Sequence, residues 1–148
     1  MTPSSIRGVI ADTCFWIDAF DPRGSHHKEA AHYLDELRDH VILMPWPIMY
    51  EVLRTRTIKN PIMTRAFERV LARPKIYRID DTEYRDDCIE RTFSLAERGR
   101  HISLVDMVVR AVITGGKYRI TQLLTFNVAD FQDVCHDKNV SVWPSRNE

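Results

Sequence analysis

Long apolar runs are missing from this chain of 148 residues. No stretch approaches the roughly 20 apolar residues that span a bilayer, so no transmembrane helix is expected. The opening, residues 1–7, is polar and lacks the long apolar stretch of a secretory signal, which makes the cytoplasm the expected location. Glycine is scarce, at five residues. None falls in Asp12-Thr13-Cys14, after the first apolar segment, where a dinucleotide-binding domain would need a glycine-rich turn. Cysteine is limited to Cys14, Cys88 and Cys135, an odd number with no C-x-x-C pair. That pattern indicates reduced thiols, neither a disulfide framework nor a thiolate zinc site. His26 and His27 are adjacent and would diverge on a helix, which suits no closed zinc site. Net charge is also absent, with 21 basic residues against 21 acidic ones, which argues against coating nucleic acid by bulk attraction.

What is present describes an ordinary globular domain, 44% apolar and 28% charged. With no repeat, low-complexity segment or Gly/Ser linker, residues 1–148 read as one domain, long enough to bury a core. Strands are expected at residues 6–11, 41–44, 76–79, 120–125 and 140–143. Helices are expected at 26–38, from Pro47 to about Thr57, and from Pro61, capped by Asn60, to about Arg73. Others should run from Asp81 to near Gly99, from Leu104, capped by Ser103, to about Ile113, and from Asn127 through Cys135. Alternation of this kind implies an α/β fold, a three-layer α/β/α sandwich on a five-stranded sheet, with ligands at the carboxyl ends of the strands.

Charge is unevenly distributed. Residues 54–78 hold eight cations against the one acid Glu68, a net +7. Arg65, Arg69 and Arg73 are spaced to form one drifting stripe on a helix, with Ile62, Ala66, Phe67 and Val70 available for the buried side. The stripe is either a solvated face or a surface for RNA phosphates. The segment also carries Met49, Leu53, Ile58, Met63 and Leu71, more apolar residues than one core face needs.

Four acids stand where a polar side chain is otherwise unexpected. Asp12 directly follows the first strand, as a ligand at the sheet edge or as a helix cap. Glu51 is a lone acid among apolar residues, costly to bury unless it binds metal or pairs with Arg54 or Arg56. Asp106 sits in the first turn of an apolar helix, where it could complete a capping box with Ser103. Asp130 follows Asn127 after the fourth strand, with capping again as the alternative. Gathered at one edge, such carboxylates repel and stay ionised mainly beside a cation. An oxygen-only donor set suits Mg²⁺ or Mn²⁺.

These residues resemble the PIN-domain nucleases, especially the VapC-type toxins of toxin–antitoxin pairs. The likeness rests on Val9-Ile10-Ala11-Asp12-Thr13, on Pro47 with Glu51-Val52, on Ser103-Leu104-Val105-Asp106, and on Leu124-Thr125-Phe126-Asn127-Val128-Ala129-Asp130-Phe131. It implies a mainly parallel sheet, Mg²⁺ or Mn²⁺ at the quartet Asp12, Glu51, Asp106 and Asp130, and hydrolytic cleavage of RNA. Thr13, Thr125 and Asn127 would support that site. It further implies a homodimer and a small antitoxin protein as inhibitor, both contacting the helix pair around residues 47–71. A phosphatase of the haloacid-dehalogenase type would need a second Asp where Cys14 stands. A PIN nuclease of RNA processing, or a non-catalytic binding module, are the remaining alternatives.

Overall fold

The computed structural model describes residues 6–144. Most of the polar opening, residues 1–5, lies outside them. Five strands form one sheet: β1 Arg7–Ala11, β2 Ile42–Pro45, β3 Ile76–Ile79, β4 Arg119–Leu124 and β5 Ser141–Trp143. Every pairing is parallel and the order is β3-β2-β1-β4-β5. β1 is therefore central, and the chain reverses its direction of travel across the sheet between β1 and β4. In such sheets the crevice at the carboxyl ends opens at that switch point. The middle strands β1 and β2 are almost wholly buried, as parallel strands covered on both faces should be. Gly8 is needed where β1 shifts register, because a Cβ there would come within 2.5 Å of the Val41 carbonyl oxygen.

Among the described residues, eight α-helices join the strands. α1 Thr13–Phe20 packs on α2 His27–Glu36, on α3 Trp46–Val52 and on α5 Pro61–Leu71. α6 Arg85–Glu97 packs on α7 Leu104–Gly115, which also meets α8 Gln132–Asp137. α3 touches both α1 and α7, so it bridges the two helical groups at the carboxyl edge. Phe15, Trp16 and Phe67 are fully buried in an aromatic cluster that ties α1 to α5. Asn60 caps α5 through the N–H groups of Ile62 and Met63, Ser103 caps α7, and Gly116 ends α7 with φ of 70°.

Three expected helices are divided. The segment from Pro47 starts at Trp46 and stops at Val52, and a separate turn of helix, α4 Thr55–Ile58, follows. The β-branched Thr55 and Thr57, with Arg54 in extended conformation, favour the break. The segment after Asp81 begins as a 3-10 turn, Thr82–Tyr84, before α6. The segment from Asn127 opens as a 3-10 turn, Val128–Asp130, before α8. The helix expected to reach Arg73 ends at Leu71. Its buried side is Met63, Phe67 and Val70, while Ile62 is 81% exposed rather than buried. Among the described residues, no helix is long and apolar enough to cross a membrane.

Candidate active site

Asp12 leaves β1 at the switch point and is 3% exposed. It is both a helix cap and a residue of the crevice. Its Oδ1 accepts from the N–H groups of Cys14 at 3.1 Å and Phe15 at 3.4 Å. The Cys14 thiol donates to the same oxygen at 2.7 Å. Its Oδ2 accepts from the hydroxyl of Thr125, at the end of β4. Thr125 Oγ1 in turn accepts from the Asn127 N–H at 2.9 Å, so β1 and β4 jointly fix the carboxylate. Burial raises the pKa of Asp12, while these hydrogen bonds lower it. Burial, then the Asp12 charge, pushes the Cys14 thiol up to about 12, so Cys14 stays a neutral donor.

The other three acids converge on the same place electrostatically. The Asp106 carboxyl is pushed up to about 7, first by burial, then by repulsion from Asp12, Asp130 and Glu51. The capping box is only half formed: Ser103 Oγ accepts the Asp106 N–H at 3.2 Å. That leaves the Asp106 carboxylate available to the crevice. Glu51 forms no ion pair with Arg54 or Arg56 among the described residues, so the alternative account of this acid fails. Asn127 does not cap the turn that follows it. Its Nδ2 instead donates to Asp130 Oδ2 at 2.6 Å.

Arg110 is a component that sequence reasoning missed. It lies four residues after Asp106 on α7, one turn along the same face. Its Nη1 donates to the Asp130 carbonyl oxygen at 2.8 Å, and the guanidinium grips Asp133 at 2.7 and 3.0 Å. This fork pins the turn bearing Asp130 against α7, beside Asp106. The Arg110 hydrogen bond holds the Asp133 carboxyl well below the usual carboxylate range, and Arg100 assists. Cys14 is a second such component. The sequence marks it only as a reduced thiol, since its contact with Asp12 depends on the turn opening α1.

The expected arginine stripe is shorter than its spacing suggested. Arg65 and Arg69 are exposed on α5 and share a shallow groove with Glu68. Arg73 lies past the end of the helix, where its Nη1 reaches the Leu34 carbonyl oxygen of α2 at 3.5 Å.

The site fits a hard divalent cation in donor chemistry. Its candidate donors are oxygens, they repel one another, and Thr13 Oγ1, on the residue after Asp12, is a buried hydroxyl without a hydrogen-bond partner among the described residues. Among the described residues, no three His, Cys, Asp or Glu side chains close tightly enough to cage a bare ion. Mg²⁺ makes no such demand, because it keeps several waters and takes one or two carboxylates directly.

No protein-family model and no curated protein sequence matches the chain. Solved structures do. Mycobacterium tuberculosis VapC20, a sarcin-ricin loop cleaving toxin, aligns with a TM-score of 0.62 at 17% identity, over 84% of this chain and 94% of that one. VapBC2 from Rickettsia felis, bound to a DNA fragment from its promoter, gives 0.59 at 17% identity, over 93% and 96%. FitAB bound to the IR36 DNA fragment gives 0.56 at 15% identity, over 91% and 93%. The chain thus has the PIN-like α/β/α fold of the VapC-type toxin structures, with Asp12 at its switch point.

Proposed function

We propose that the protein is a Mg²⁺- or Mn²⁺-dependent endoribonuclease that hydrolyses RNA phosphodiester bonds at Asp12, Glu51, Asp106 and Asp130. The observation that carries this reading is a buried carboxylate, Asp12, held at the switch point by Thr125 and Cys14, in a setting where burial and the charges of Asp12, Asp130 and Glu51 push the Asp106 carboxyl upward. Carboxylates arranged to repel are a standing cost that a bound cation removes. The fold shared with a toxin that cleaves the sarcin-ricin loop supports RNA as the substrate.

Each residue has a part. Asp12, locked by Thr125, Cys14 and the first N–H groups of α1, is the rigid ligand. Asp106 faces it from the first turn of α7. Glu51, from α3, and Asp130, steadied by Asn127 and Arg110, hold outer waters in place. A divalent ion held there would lower the pKa of a water and neutralise charge on a phosphoryl oxygen. Asp130 and Glu51, as acceptors, would take hydrogen bonds from that water.

The reading extends to biology. The protein acts in the cytoplasm as the toxin of a toxin–antitoxin pair, as a homodimer restrained by a small antitoxin protein. Two of the similar structures, VapBC2 and FitAB, are assemblies bound to DNA, which supports such a partner. Ile58, 52% exposed, and Ile62 offer it apolar surface on the helix pair.

Attack by water leaves a 5′-phosphate and a 3′-hydroxyl and has no need of the ribose 2′-hydroxyl. End-group analysis of the fragments from a single-stranded RNA should show those termini. Fragments ending in 2′,3′-cyclic phosphate would contradict hydrolysis at this site.

A further inference from the structure

A cleft of about 250 Å³ that includes none of the four acids is lined by Ile17, Asp18, Asp21 and Arg23 of α1 and its following turn, and by Arg54, Arg56 and Asn60 around α4. We propose that this cleft is a second contact site for the RNA strand, where Arg54, Arg56 and the Asn60 amide hold a phosphate flanking the one that is cut. The inference rests on the ribonuclease reading above and adds to it the direction in which the substrate runs.

Three observations converge. The first is that the donors are free. Among the described residues, neither Arg54 nor Arg56 forms an ion pair. Other cations of the same basic segment are engaged: Lys75 on the Asp39 carbonyl, Arg73 on the Leu34 carbonyl, and Arg78 over the Trp46 ring. The Asn60 Oδ1 is committed to the N–H groups of Ile62 and Met63. That fixes the amide, and its two N–H donors have no protein partner among the described residues.

The second is that the cations lining the cleft outnumber the acids, one of which is already paired. Asp21 accepts from Arg23 N at 3.0 Å, Nε at 3.1 Å and Nη2 at 3.2 Å. Asp18 Oδ2 accepts only from the His26 N–H at 3.3 Å and forms no ion pair among the described residues, so the cleft sets Arg23, Arg54 and Arg56 against two acids. Arg54 and Arg56 thus tip the cleft to a net positive charge; Lys59, Arg65 and Arg69 of the same segment also form no ion pair among the described residues, but they do not line it.

The third is continuity with the cutting site. Asp12 caps α1, and Ile17 to Asp21 lie five to nine residues further on, about 8–13 Å along the helix. Arg54 follows Glu51 by three residues. A strand with one phosphate at the acids can lay a neighbouring one in the cleft. That contact offsets the repulsion a polyanion meets on approaching four carboxylates.

The test is an Arg54→Gln/Arg56→Gln double variant, compared with the unchanged protein on a single-stranded RNA of many nucleotides and on a dinucleotide. On the long RNA, KM should rise about 10-fold with kcat little changed. RNA binding measured in chelator should lose about 0.7–1.4 from its log–log salt slope, the value for one or two phosphate contacts. The dinucleotide cannot reach the cleft, so its kinetics should be the same for both proteins, as should the melting temperature. Unchanged affinity and salt slope on the long RNA overturn the cleft while leaving the ribonuclease reading intact. Equal losses on both substrates overturn it too, since a general disturbance would then be the cause. If the variant keeps its RNA affinity but no longer binds a poly-glutamate peptide, the cleft serves an acidic protein partner and the proposal is wrong. If the unchanged protein neither binds nor cuts RNA, both readings fall together.

Discussion

Replacing Asp12 by asparagine should reduce RNA cleavage by at least about 10²–10³-fold, the range for removing one group that stabilises transition-state charge. Melting temperature should not fall, and in chelator relief of the repulsion with Asp106 should raise it. The separation of the two effects follows from the double role of this carboxylate. The amide oxygen of asparagine can still accept from the Cys14 and Phe15 N–H groups, so the cap of α1 survives. The amide nitrogen can donate to the Thr125 hydroxyl, which reverses that hydrogen bond without breaking it. Only the negative charge is lost, and with it the ligand. Asp12→Ala, in contrast, removes the cap as well and should cost about 1 kcal/mol of stability. A nuclease assay beside a thermal melt reads both quantities. An Asp12→Asn protein that cuts at the original rate would remove this residue from the chemistry.

Asp106→Asn should abolish cleavage to a similar extent and also make the metal-free protein more stable. The Asp106 carboxyl is pushed up to about 7 by burial and by its acidic neighbours. The folded state therefore binds a proton more tightly than the unfolded chain between roughly pH 4 and pH 7. The stability this group contributes is fully present below its unfolded pKa. It is lost as the pH rises through the folded value. Near neutral pH the ionised carboxylate is a burden. The group is only partly buried and solvent screens it, so its removal should be worth about 1–2 kcal/mol. In a domain of this size that corresponds to a rise of about 2–8 °C in melting temperature. The Asp106→Asn protein should lack the decline in stability across that pH range, and a saturating divalent ion should erase most of it in the unchanged protein. A melting temperature that falls on Asp106→Asn in chelator would contradict the picture of mutually repelling acids.

The sheet was legible in the sequence because parallel strands buried on both faces become short apolar runs between turn residues. Ile76–Ile79 emerged with its bounds intact, and the other strands within a residue or two. Asp12 and Asp106 stood out for the same reason, as acids in apolar surroundings at an element's first turn. What stayed hidden depends on contacts between distant segments. The grip of Arg110 on the backbone of Asp130 joins residues 20 apart. Thr125 was expected at the site only through the family resemblance, because it meets Asp12 across 113 positions. Arginine spacing alone could not show that α5 stops at Leu71, which turns Arg73 toward α2. Nor could it show that Arg54 and Arg56 border a cleft, since that requires α1 and α4 to be brought side by side. The break after Val52 was missed because one apolar helical pattern continues through Leu53 into Ile58.

The central claim is that the acid quartet cuts RNA through a divalent ion. It is tested most directly by following cleavage of a single-stranded RNA by the purified protein, in chelator and then after adding Mg²⁺ or Mn²⁺, beside the Asp12→Asn variant. Cleavage absent in chelator, restored by the ion, and restored in the unchanged protein alone is the predicted result. Full cleavage in chelator, or equal restoration in the Asp12→Asn protein, would contradict it.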